Sequence, residues 1–366
     1  MKKIAICVGT RPNFIKITQF EKHFSNRENV IVELVHTGQH FDENMSTIFF
    51  QELKLKRPDI YLNAKGHSQI ELIADIMVKF QAYVDSNKPD IVLVPGDVNS
   101  SLACALVASR NNIPIGHIES GLRSFDRSMP EEINRILIDD LADLFFVTEK
   151  SGIDNLVNEG KEKNRIHFVG NTMIDTLIAF ENEIDQSNIL DELDLHGKYG
   201  LLTFHRPSNV DDRKQLTILV ETLVDIAKKI KLVFTVHPRT LNNLKKYELF
   251  DLLETNESIL IVGALGYLDF MKLVKNATFI LTDSGGIQEE SAFLNVPCLT
   301  VRENTERPVT ITEGSNELIN LNKGKIIETI DLILKQETLL KKKNTITLWD
   351  GRSSERIVDI LCDYLM

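Results

Sequence analysis

Short apolar, β-branched runs alternate along the chain with longer stretches in which apolar residues recur every three to four positions. The runs fall at residues 3–8, 30–36, 90–94, 113–117, 143–148 and 165–169, and again at 199–204, 231–236, 258–261, 277–281 and 297–300. Between them lie patterns such as 216–229, where Leu219, Val220, Leu223, Val224 and Ile226 share one face and predict a core-facing helix. Strands that are apolar throughout, separated by helices, predict parallel sheets covered on both faces. A polar stretch, residues 181–198, parts the two sets of strands, and the domain boundary is expected inside it. The expected architecture is α/β, with two doubly wound, Rossmann-like domains, 1–180 and 181–352. Such sheets bind ligands beyond the carboxyl ends of their strands. The chemistry is therefore expected in the post-strand loops, at a cleft between the domains.

Composition narrows the function classes. A chain of 366 residues is long enough for two domains with real cores. Its 42 Lys and Arg against 53 Asp and Glu leave a net charge of −11 and no basic stripe, which excludes nucleic acid as partner. No apolar run approaches the roughly 18 residues of a membrane span. Residues 1–8 resemble the start of a signal peptide, but Arg11 and Lys16 cut the apolar stretch short and no cleavage site follows. A cytoplasmic protein is expected. Cys7, Cys104, Cys298 and Cys362 are scattered in apolar contexts without a C-x-x-C pair, so buried thiols are expected, with no metal site. The chain lacks H-E-x-x-H, G-x-S-x-G and the P-loop signature, which excludes metalloproteases, ordinary α/β-hydrolases and P-loop kinases.

The post-strand loops hold the candidate chemistry. After the first strand, Gly9-Thr10-Arg11-Pro12 combines a glycine for a tight turn, a helix N-terminus and a cation, an arrangement for an anion. It is not G-x-G-x-x-G, so a nicotinamide dinucleotide is disfavoured. Asp97 follows the strand ending at Val94 and could cap the helix expected from near Ser100. Glu119 follows the strand ending at His117, and Glu131 lies in the segment Pro130-Glu131-Glu132-Ile133-Asn134-Arg135. Three acids at one end of one sheet point to proton transfer. In the second half, His205-Arg206 and His237-Pro238-Arg239 follow strands, and Asp283-Ser284-Gly285-Gly286 opens a helix. Ser284, Gly285 and Gly286 suit a diphosphate, with Glu290 placed to accept from a ribose diol.

Together these segments resemble the non-hydrolysing UDP-N-acetylglucosamine 2-epimerases. Gly9-Thr10-Arg11-Pro12…Lys16, Gly96-Asp97, His117-Ile118-Glu119-Ser120-Gly121-Leu122-Arg123, Pro130–Arg135 and Gly170-Asn171-Thr172 match in the first half. His205-Arg206, Thr282–Glu290 and Thr305-Glu306-Arg307-Pro308 match in the second, in family order over about residues 3–360. The resemblance implies a glycosyltransferase-B-like fold, a homodimer, and a last helix, 353–366, that returns to the first domain. It implies interconversion of UDP-GlcNAc and UDP-ManNAc with no cofactor, for cell-surface polysaccharide precursors. Asp97, Glu119 and Glu131 would be the catalytic acids, without an assignment to either face of the sugar. Arg11, His205, Ser284 and Gly285 would stabilise the departing diphosphate, and Phe270 would pack the uracil. Lys16, Arg206, His237, Gly286, Glu290 and Arg307 would complete the UDP-sugar site.

The match has departures. His205-Arg206 is followed by Pro207-Ser208-Asn209 rather than Arg-Glu-Ser, and the segment between Arg123 and Pro130 is shorter than in some members. Gln39 and His40 match one corner of the activating second UDP-GlcNAc site of many bacterial members, but residues 41–45 do not. Other readings stay open at this level. They are a 2-epimerase of another UDP-2-acetamido sugar (a uronic acid or 6-deoxy sugar), a hydrolysing 2-epimerase, a retaining glycosyltransferase and a nucleotide-sugar binding protein.

Overall fold

Among the described residues thirteen strands form, all but two of them where the chain is apolar and β-branched. The computed structural model describes residues 1–38, 50, 52–336 and 345–366. The candidates Gln39 and His40 lie outside the described residues, as does the lysine run at 341–343.

The chain divides into two units, Met1–Ala179 with Thr347–Met366, and Phe180–Ile346. The first unit holds β1 (Lys2–Val8), β2 (Val30–His36), β3 (Ile60–Tyr61), β4 (Ile91–Pro95), β5 (Ile115–Ile118), β6 (Leu144–Val147) and β7 (Ile166–Phe168), in the order β3-β2-β1-β4-β5-β6-β7. The second holds β8 (Tyr199–Thr203), β9 (Lys231–Thr235), β10 (Ile259–Val262), β11 (Phe279–Thr282), β12 (Cys298–Val301) and β13 (Asn316–Ile319), in the order β10-β9-β8-β11-β12-β13. Every pairing is parallel. Strands such as β4 and β11 are buried along their whole length, as helices on both faces require. Each sheet reverses its strand order once, at β1/β4 and at β8/β11, and these are the switch points where such sheets open a crevice.

Two strands escape the sequence pattern. β3 has only two residues, with Tyr61 exposed, and β13 opens on Asn316 and Glu317. Both are edge strands, where one side of the ladder is not covered and the apolar run shortens. The units part at Ala179–Phe180, ahead of the polar stretch 181–198. That stretch folds into the second unit, where the helix Glu181–Gln186 meets the helix Tyr267–Asn276 and Lys275 pairs with Asp185 at 2.8 Å. The four cysteines are free and buried. Among the described residues no helix is long and apolar enough to cross a membrane.

The last helix, Ser353–Leu365, belongs to the first unit. The buried Asp175 carboxylate accepts from the backbone N–H of Ser353 (3.1 Å) and Ser354 (2.6 Å), covering donors that a helix start leaves open. Trp349 donates to the Thr148 carbonyl at 3.1 Å. Gly170 must lack a side chain, since a Cβ there would lie 2.1 Å from the Leu348 carbonyl oxygen. Asp175→Ala is expected to cost about 1–3 kcal/mol by stranding two buried donors, read as a lower urea midpoint with an unchanged slope.

Candidate active site

In the first unit the loops after β1, β4 and β5 are stitched together by side chains. Asn13, in the helix Arg11–Ile17, accepts from the Gly9 and Thr10 N–H groups (3.2 Å each) and donates to the Pro95 carbonyl (2.9 Å). It thereby ties the end of β1 to the end of β4. Gly9 serves space rather than a turn, because a Cβ would lie 2.0 Å from Ser100 Oγ. Arg11 opens this helix and is half-buried.

Lys16 and Glu119 form a buried ion pair, each side chain about 5% exposed. The Lys16 ammonium also overlies Gly96, where a Cβ would come within 2.7 Å of it. Glu119 sits just beyond β5 in the left-handed region (φ 71°), unusual for a side chain of its size. Strained backbone of this kind gathers at functional sites. Asp97 follows Gly96 and pairs with Arg135 Nη2 at 2.6 Å, while Asn134 Nδ2 donates to its carbonyl at 2.8 Å. Asp97 does not cap the following helix, which begins at Asn99 with Val98 as its cap residue.

The helix Pro130–Leu141 buries Glu132, Asn134, Arg135, Ile138 and Asp139 and leaves Glu131 exposed in its first turn. Glu132 accepts from the N–H of Ser124 (2.8 Å) and of Phe125 (2.9 Å) and pairs with Arg135 Nη1 (2.8 Å). The structure therefore interlocks Lys16 with Glu119 and Asp97 with Arg135. Glu131 stands on the same helix as Arg135, one turn earlier.

The second unit is organised by Asp283, fully buried at the end of β11. Its carboxylate accepts from the N–H of His205 (3.1 Å) and Arg206 (2.9 Å), from Asn209 Nδ2 (3.1 Å) and from His205 Nδ1 (2.9 Å). Burial alone would raise this carboxyl, but the His205 contact, Asn209 and the Arg206 N–H hold it below its ordinary value. Nδ1 is thus committed, which leaves Nε2 as the other ring nitrogen of a side chain that is 40% exposed. Arg206 Nε donates to the Asp283 carbonyl at 2.9 Å. His237 caps its own helix, Nδ1 accepting from the Arg239 N–H at 3.2 Å; burial and the nearby His205 lower its pKa.

Ser284 is the cap residue of the helix Gly285–Leu294, and its hydroxyl makes no capping bond. The first-turn N–H groups of Gly285 and Gly286 thus suit an anion. Gly285 sits close against the Glu306–Arg307 pair, since a Cβ would lie 2.9 Å from Glu306 Oε1 and 3.0 Å from Arg307 Nη1. Arg307 itself is buried, pairing with Glu306 and lying 2.9 Å from Glu289 Oε2, so it backs the cradle. Glu290 is buried in the second turn, and Phe270 is half-buried in the helix Tyr267–Asn276.

Sequence reasoning did not single out Asn13, Glu132, Arg135, Asp139, Asn209 or Asp283 as positioning groups. Most lay inside quoted motifs. Asp139 had a signal of its own, an acid spaced i+4 from Arg135 and i+7 from Glu132 on the buried helix face.

Two doubly wound units of glycosyltransferase-B type, one holding carboxylates and the other an anion cradle at its switch point, define a nucleotide-sugar enzyme class. The family model for UDP-N-acetylglucosamine 2-epimerases matches residues 22–362. The chain is 42% identical over 366 residues to the UDP-N-acetylglucosamine 2-epimerase of Methanocaldococcus jannaschii, covering 98% of each chain. The crystal structure of that enzyme in complex with UDP-GlcNAc and UDP superposes with a TM-score of 0.90 at 41% identity, covering 99% of each chain. The UDP-2,3-diacetamido-2,3-dideoxy-D-glucuronate 2-epimerase of Pseudomonas aeruginosa is 38% identical over 330 residues, 89% of this chain and 91% of that one. The chain belongs to the UDP-N-acetylglucosamine 2-epimerase family.

The lowered Asp283 and Asp139 carboxyls set an acid limit on stability. With folded values below the ordinary 3.8, their stabilisation is complete above about pH 5 and is lost as pH falls through 3.8 towards those values. Asp283→Asn is expected to be less stable at neutral pH and to show a shallower acid decline, checked by urea midpoints between about pH 6 and pH 3.

Proposed function

We propose that the protein is a non-hydrolysing UDP-GlcNAc 2-epimerase that interconverts UDP-GlcNAc and UDP-ManNAc without a cofactor. The observation that supports this most strongly is the full-length likeness to an epimerase bound to UDP-GlcNAc and UDP, with both motif sets at strand ends. In this reading it acts in the cytoplasm as a homodimer and supplies precursors for cell-surface polysaccharide.

The C2 proton of the sugar is weakly acidic. Breaking the C1–O bond to UDP builds positive charge at C1 and acidifies C2. One carboxylate takes the proton as UDP leaves, giving 2-acetamidoglucal. Return of UDP to C1, with a proton delivered to the other face of C2, gives the epimer. Asp97, Glu119 and Glu131 are the acids for the two faces. Arg11, Lys16, His205, Arg206 and the Ser284–Gly286 helix start meet the charge growing on UDP. Glu290 takes the ribose and Phe270 the uracil, and His237, capping its helix, and Arg307, buried against the Gly285 turn, complete the site.

Proton NMR with UDP-GlcNAc in D2O is expected to show UDP-ManNAc deuterated at C2 and little free sugar. Free ManNAc would place the protein among hydrolysing enzymes. Turnover of a UDP-2,3-diacetamido uronic acid but not UDP-GlcNAc would move the substrate towards that of the Pseudomonas relative. Glu119→Gln is expected to lower kcat about 10²–10⁴-fold while UDP affinity stays near that of the wild type, checked by calorimetry beside the NMR assay.

A further inference from the structure

The geometry points to Asp139 as the positioning residue that holds the three acids of the first unit in register. This rests on the epimerase reading above. Asp139 is fully buried and is assigned no chemical step, yet its bonds clasp the segment of Glu119, reach that of Asp97 through His117, and start from the helix that carries Glu131. Oδ1 lies 2.6 Å from His117 Nδ1, on the residue two before Glu119. Oδ2 accepts from the Gly121 N–H at 3.1 Å, two residues after Glu119, and pairs with Arg123 Nη1 at 2.7 Å. Glu119, held at φ 71°, is thus clamped on both sides by one carboxylate.

The same clamp extends to the other acids. His117 Nε2 lies 3.1 Å from the carbonyl of Gly96, the residue before Asp97. Asp139 also stands on the helix Pro130–Leu141, which presents Glu131 and, through Arg135, holds Asp97. A carboxylate with three donors in a dry interior is costly to misplace, since each donor it leaves is stranded. One buried group therefore sets the spacing between a base on one face of C2 and an acid on the other. Gly121 completes the arrangement at φ 78°, where its backbone lies so close to Gly152 that a Cβ would meet the Gly152 carbonyl oxygen at 2.4 Å.

The test compares Asp139→Ala, Asp139→Asn and wild type, with Asp175→Ala as a variant destabilised elsewhere in the same unit. Sites are counted by UDP titration, and rates are expressed per UDP-binding site. Asp139→Ala is expected to lose about a hundredfold in kcat with UDP affinity near that of the wild type, as displacement of reacting groups by about 1 Å would produce. Asp139→Asn, which keeps the shape and one acceptor, is expected to recover at least part of that loss, and it covers the case in which Asp139→Ala does not fold. Turnover in D2O supplies a readout that a stability defect does not move. Loss of register raises the ratio of deuterated UDP-GlcNAc returned to UDP-ManNAc formed, because proton removal becomes uncoupled from delivery on the other face. Asp175→Ala is expected to keep the wild-type ratio and kcat per site.

Wild-type kcat per site and a wild-type ratio in both Asp139 variants would overturn the positioning role while leaving the epimerase reading intact. A wild type inert towards UDP-2-acetamido sugars would overturn that reading and the positioning role with it.

Discussion

Parallel strands all point the same way, so every loop that leaves a carboxyl end must emerge on one edge of its sheet. The site depends on this constraint before any particular residue matters. In the first unit it brings Gly9, Asp97 and Glu119 to one edge from β1, β4 and β5. In the second it brings His205 and Ser284 together from β8 and β11, adjacent strands whose paired residues Thr203 and Thr282 lie 79 positions apart along the chain. Helices that start at that edge then direct their N–H groups towards whatever the crevice receives. An anionic nucleotide sugar meets a site whose cations need not outnumber the acids of the whole chain.

The two units solve the same mechanical problem in the same way. Each holds a fully buried aspartate, Asp139 on the helix Pro130–Leu141 in one and Asp283 at the end of β11 in the other. Each aspartate takes a histidine Nδ1 and at least one backbone N–H from the segment that follows a strand, Gly121 for Asp139 and both His205 and Arg206 for Asp283. Because burial alone raises such a carboxyl, several donors are needed to favour its charged form, and those donors belong to the loops that have to be held. Order in the loops and charge on the aspartate are therefore one property.

Much of this is readable in the residues, and the reason is physical. Strands buried on both faces are continuous apolar runs, so eleven expected positions, such as 30–36 for β2, lie within about two residues of those observed. Edge strands β3 and β13 lack that run and pass unread. The site residues were legible as post-strand motifs, but their partners were not. Nothing in Glu131-Glu132 says which carboxylate turns inward, and the helix buries Glu132. Nothing local marks Lys16 as the counter-ion of Glu119, about a hundred residues away, nor Arg307 as part of a buried pair rather than an open contact.

The return of residues 347–366 to the first unit makes the second unit an insertion within it. Asp175, Thr148 and Gly170 are made early, whereas Ser353, Ser354 and Trp349, which complete their contacts, are made only after the whole second unit. At typical translation speeds the interval is on the order of ten seconds or more. Throughout it the first sheet has its strands but not its closing helix, while the whole of the second unit emerges and is able to fold. A chain stopped short of its last twenty or so residues (347–366) would therefore carry a complete second unit beside an unfinished first one.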